Sequence, residues 1–301
     1  MPLGGANMVN SDTHESAMGP FTLRLPAVYT RQAADEVVQT VRQLTVVIID
    51  LFGPQKTAPW ELVVLTGDAK IDRWVGRSLP DWVRGVAIDQ PAAIIVKGPA
   101  SGSVSGGQAE FHRVLLHEMV HLYLYRLQGQ PGSTPLPAWF HEGLAVHVSE
   151  QLSGAMYWAL VRASLLGAFY TLDELEYVAR SSIDLSLQAY AQSLVAIQEL
   201  EHIYGAQAIP DIISALSRGG SFERAFIEGT GETLADFQVR YRSRLEARYN
   251  IVLALAHPRT LYLLLPLLVL AAYLIKRRRA NKILRSWELE GQLRRPQGDD
   301  S

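Results

Sequence analysis

Two histidines four residues apart, with a glutamate after the first, narrow the choices for this chain more than any other feature: His117-Glu118-Met119-Val120-His121. On an α-helix, positions i and i+4 lie on one face one turn apart, so both imidazoles reach a single metal ion. Glu118 is turned around the axis and sets its carboxylate beside such an ion, where a general base acting on water belongs. The 301 residues include eight histidines and no cysteine. Disulfides and thiolate ligands are therefore excluded, leaving imidazole and carboxylate as the strong transition-metal ligands. Two plainer readings stand beside this one: a structural helix that happens to read HEMVH, and a zinc site without catalysis.

The surrounding segment, residues 117–150, holds four of the eight histidines and three glutamates in an apolar, aromatic-rich setting. Within it, Trp139-Phe140-His141-Glu142-Gly143-Leu144-Ala145 reads as a second helix opened by Pro135 and Pro137. Glu142 follows His121 by twenty-one residues. These residues resemble the gluzincin metallopeptidases, and among them the peptidase-MA-like domains, which combine HExxH with a later WxxEGxA helix whose glutamate is the third zinc ligand. The resemblance spans residues 21–250, because AYAQSLVAIQELEHIYG and GGSFERAFIEGTGETLADF also look like the helical tail of those domains.

The resemblance implies an α+β, zincin-like metallopeptidase domain, with a small N-terminal sheet and helices facing a mainly helical C-terminal half. It implies one catalytic zinc held by His117, His121 and Glu142, with water at the fourth position and Glu118 as base. Two imidazoles, one carboxylate and an open position suit zinc. The expected activity is hydrolysis of peptide bonds in a peptide or protein substrate, through zinc-activated water and without a covalent intermediate. Related enzymes place a tyrosine on a helix after the glutamate helix to stabilise the oxyanion. Tyr190 fits that position, and an ordinary core tyrosine is the alternative. Two departures matter. Val146 stands where some gluzincins carry a carboxylate supporting a ligand imidazole, so that support must come from elsewhere. The GxMEN signature of the aminopeptidase branch is missing, which favours an endopeptidase. His141 neighbours Glu142 in sequence and points elsewhere, to a packing or rim role; His147 reads as a solvent or outer-sphere group, and Trp139 as a core anchor.

Along the rest of the chain, apolar positions Val37, Val41, Leu44, Ile48 and Leu51 give a first helix stopped by Gly53-Pro54. WELVVLT (60–66) reads as a strand, and RGVAIDQPAAIIVKGP (84–99) as two more. SGSVSGG (101–107) reads as a mobile loop which, with the strand at 92–98, is expected to form the cleft edge that pairs with an extended substrate. Helices follow over 155–168, 188–204, 211–217 and 233–249, with Thr171 and Glu174 as a capping box before the second. Residues 1–20 are polar, lack the pattern of a secretory signal and read as a flexible leader.

The charge-free run TLYLLLPLLVLAAYLI (260–275), followed at once by KRRR, is expected to be a single-pass transmembrane anchor. The domain division is thus a leader at 1–20, a catalytic domain at 21–250, a juxtamembrane and transmembrane anchor at 251–275 and a basic tail at 276–301. Basic residues are denser after the run than before it, so the tail is expected in the cytoplasm and the catalytic domain outside it. The lipid bilayer is then a partner. With 28 Lys and Arg against 30 Asp and Glu, the net charge of −2 offers no basic field for nucleic acid. The rival function is a membrane-tethered zinc-binding scaffold without catalysis.

Overall fold

The computed structural model describes residues 8–55, 58–98, 108–128, 134–151, 153–178, 183–249 and 265–278. Strand β1 (Met8–His14) pairs antiparallel with β2 (Phe21–Pro26), and β2 runs parallel to β3 (Trp60–Leu65). A parallel pair needs a crossover, and helix α1 (Arg31–Phe52) supplies it. Thr30 caps its start by accepting from the Ala33 N–H at 3.2 Å, and Gly53 closes it at φ 84°. Strand β5 (Ala93–Lys97) lies parallel to β3 on its other side, and β4 (Gly85–Ile88) pairs antiparallel with β5. The sheet order is β1-β2-β3-β5-β4.

Strands β3 and β5 are apolar on both faces because both faces are covered. Val63, Leu65 and Ile95 meet Ile71, Trp74, Leu79 and Val83 from the β3–β4 connection, which includes the short helix α2 (Asp72–Val75). Leu62, Val64, Ile94 and Val96, on the opposite face, are fully buried. Helix α3 (Gln108–Gln128) packs against β4, β5 and α1. It is buried on most sides, with Leu115, Met119, Val120, Leu122 and Leu124 inaccessible. The Tyr123 hydroxyl ties it to the end of α1 by donating to the carbonyls of Phe52 and Gly53 at 2.9 and 3.0 Å.

Helix α4 (Ala138–Val148) packs on α3 and is crossed by α7 (Ile183–Tyr204). The crossing is close at Gly143, where a Cβ would run into the Ser193 carbonyl. Helices α5 (Gly154–Leu166) and α6 (Leu175–Val178) also lean on α7. Thr171 and Glu174 form the expected reciprocal cap, with backbone-to-side-chain bonds of 2.8 and 3.3 Å. Helices α8 (Ala208–Ser217), α9 (Phe222–Thr230) and α10 (Leu234–Tyr249) complete the helical half. Trp139 of α4 is buried there among Phe140, Phe222 and Phe237, as a core anchor.

Three expectations need correction. Residues 1–20 contain strand β1, in register with β2, where a flexible leader was expected. Strand β5 is interior, so the cleft-edge position assigned to 92–98 belongs to β4; the loop at 101–107 lies outside the described residues. The third concerns the transmembrane helix. Among the described residues, no helix is long and apolar enough to cross a membrane. The described helical residues 265–278 end on Lys276, Arg277 and Arg278. The single-pass anchor, the bilayer partnership and the two-sided localisation fall with it; residues 251–264 and 279–301 lie outside the described residues. The chain divides into two compact units, Met1–Arg248 and Tyr249–Ser301.

Candidate metal centre

Helix α3 brings His117 and His121 together with their Nε2 atoms 3.0 Å apart and their rings edge-on at 86°. Helix α4 presents Glu142 from the other side, its Oε2 3.7 Å from His117 Nε2 and 3.4 Å from His121 Nε2. The three residues offer ligand atoms that all lie within 4.8 Å of one another. Bonds of about 2.0–2.1 Å at tetrahedral angles would space ligand atoms about 3.3 Å apart, a value the three separations bracket. Glu142 Oε2 is buried without a hydrogen-bond partner, the state of an oxygen reserved for an ion. The donor set and its geometry therefore fit a zinc ion.

Glu118 stands beside this cradle and is held by β4. A Cβ on Gly85 would lie 2.7 Å from both Cγ and Oε1 of Glu118 and 2.8 Å from Val114 Cγ1, so only glycine lets the strand press this close. Burial is the chief influence on the Glu118 carboxyl and raises its pKa above the usual carboxylate range, against the pull of His117, His121 and the Ala87 backbone N–H. Burial also opposes ionisation of Glu142, but His121 and His117 outweigh it and hold that carboxyl well below its ordinary value. Their surroundings thus pull the two carboxyls in opposite directions.

Tyr190 projects from α7 into the same cleft, its ring 6.3 Å from Trp82 in an edge-on contact. Burial raises its pKa and keeps the hydroxyl protonated. The cleft has two lobes, with cavity volumes of about 540 and 410 Å³. Trp82, Gly85, His117, Glu118 and Tyr190 line both. Arg84, Arg113 and Met156 line only the larger; Ala87, His121 and Tyr125 line only the smaller, so the cleft follows β4 past the cradle in both directions.

His141 was expected to point elsewhere, yet its Nδ1 lies 2.6 Å from His121 Nδ1. Burial pushes its pKa down to about 3, with the His121 charge adding to the effect. Where Val146 offers His121 no partner, the residue next to Glu142 contacts its ring. Nothing in helical periodicity points to it, since the contact depends on how α3 and α4 cross. His147 is not in the cleft; it pairs with Glu201 at 3.3 Å beside a small separate cavity of about 140 Å³. Gly85 was also missed. Its signal, a glycine opening the strand nearest HEMVH, is too common to single out.

The family model of the Peptidase MA superfamily matches residues 40–247. The uncharacterized protein YhcO of Bacillus subtilis strain 168 is 30% identical over 142 residues, which cover 45% of this chain and 42% of that protein. Among solved structures, an M1 zinc metallopeptidase from Deinococcus radiodurans is 13% identical with a TM-score of 0.42, covering 80% of this chain and 51% of that one. An aminopeptidase N family protein from Idiomarina loihiensis is 13% identical with a TM-score of 0.44, covering 77% and 43%. The chain spans about half the length of these proteins or less.

Proposed function

The chain belongs to the Peptidase MA superfamily, and on that premise we propose that it is a zinc-dependent peptidase of the gluzincin type that cleaves peptide bonds within a chain. The observation that carries the proposal is the convergence of His117, His121 and Glu142 from two helices, with the buried carboxyl of Glu118 beside them. His117 and His121 through Nε2, and Glu142 through a carboxylate oxygen, would hold the ion. A zinc ion there supplies Lewis acidity toward the scissile carbonyl and the attacking water.

The chain's own residues do the rest. Glu118 takes the proton of the attacking water and hands it to the departing amine, a transfer favoured by the raised proton affinity that burial gives it. The Tyr190 hydroxyl donates a hydrogen bond to the oxygen that gains charge in the transition state. Strand β4 is a sheet edge, paired only with β5 among the described residues, and its free side offers backbone groups to an extended substrate. The two lobes, on either side of the shared residues, favour a substrate that passes through the cleft over one that ends in it. Cleavage profiling on proteome-derived peptides tests this: the wild type is expected to generate new internal termini that Glu118→Gln does not. Trimming confined to one end would overturn the endopeptidase assignment, and identical profiles would overturn peptidase activity at this site.

A further inference from the structure

His141 lies directly against His121. Its ring lies within 17° of parallel to His121, with centroids 4.6 Å apart and the two Nδ1 atoms at 2.6 Å. At that nitrogen separation one N–H must lie between the rings. His121 Nε2 faces His117 Nε2 and Glu142, and as a zinc ligand through that nitrogen His121 would carry its ring proton on Nδ1. His121 therefore donates and His141 accepts, which puts the His141 proton on Nε2, a buried atom without a hydrogen-bond partner. We propose that His141 is a positioning residue for the metal centre: its neutral imidazole accepts the Nδ1–H of His121, fixing that ligand's tautomer and the direction of its Nε2 lone pair.

Metal-bound histidines ordinarily give this proton to a carboxylate, a carbonyl or water. An imidazole does the same geometric task without a negative charge. The arrangement also couples two ligands. His141 and Glu142 are neighbours on α4, so the helix that carries the third ligand also sets the orientation of the second.

This inference rests on the zinc site proposed above, and the test separates the two. Zinc affinity of the full chain is measured by chelator competition for the wild type, His141→Phe and His141→Asn, with circular dichroism of each metal-free protein. Phenylalanine keeps a ring and removes the acceptor; asparagine sets Oδ1 near the place of Nδ1 and removes the ring. We expect His141→Phe to bind zinc about 10- to 100-fold more weakly and His141→Asn to remain close to wild type. Wild-type affinity in His141→Phe would overturn the role, as would equal losses in both variants. Should the phenylalanine variant fail to fold, asparagine decides alone: retained affinity supports the role and a loss of about tenfold or more overturns it. No zinc uptake by the wild type would remove the site and this role together.

Discussion

Replacing Gly85 with alanine places the smallest steric change at the most sensitive contact. Gly85 is not among the positive-φ glycines, so alanine meets no backbone strain and the effect comes from the added methyl alone. That Cβ would stand 2.7 Å from Glu118 Cγ and Oε1 and 2.8 Å from Val114 Cγ1. Carbon contacts relax to about 3.5 Å or more, so strand and carboxylate must separate by roughly 0.8 Å. Overpacking of this kind costs about 1–3 kcal/mol, lowering Tm by about 2–4 °C per kcal/mol for a domain of this size. The catalytic cost is of the same order: misplacement of a reacting group by about 1 Å reduces turnover roughly 100-fold. We therefore expect kcat on casein to fall about 10- to 100-fold in Gly85→Ala. Zinc affinity should hold at the wild-type value, since no ligand is touched. Wild-type kcat in a folded Gly85→Ala chain would refute the argument that β4 sets the position of Glu118.

Tyr190→Phe is expected to lower kcat about 10- to 1,000-fold with zinc content intact, the scale of one lost oxyanion donor; wild-type turnover would return Tyr190 to a packing role. Gly143→Ala forces a methyl against the Ser193 backbone and pushes α4 from α7, so zinc affinity should drop although no ligand changes, as chelator competition would show. Trp139→Ala should destabilise the chain by about 3–5 kcal/mol in urea unfolding, as deletion of a buried indole does. A smaller effect, below about 1 kcal/mol, would mean that the aromatic cluster does not anchor α4.

What the sequence makes legible here is whatever depends on one helix at a time. The i, i+4 spacing of His117 and His121 forces a shared face, and the cap at Thr171 and Glu174 follows from local hydrogen bonding. Glu142 and Tyr190 came from family resemblance, and the structure brings both to the cleft. Strand order is different: 84–88 and 92–97 are similar apolar runs, and only tertiary pairing decides that β4 is the edge and β5 the interior. The partner of His121 was illegible for the same reason, since a residue next to a ligand on a helix points about 100° away from it. It reaches His121 because α3 crosses α4 on that side. The run at 260–275 had the composition of a membrane span, but among the described residues no helix is long and apolar enough to cross a membrane.

Casein hydrolysis by the chelator-stripped full chain, followed as zinc is titrated back, decides whether this chain is a zinc-dependent peptidase. Turnover is expected to be absent without metal and to rise until it saturates near one zinc per chain. Glu118→Gln should take up the same zinc and remain inactive, with a loss of about 100- to 10,000-fold. Turnover that persists without metal, or a Glu118→Gln chain as active as the wild type, would contradict it.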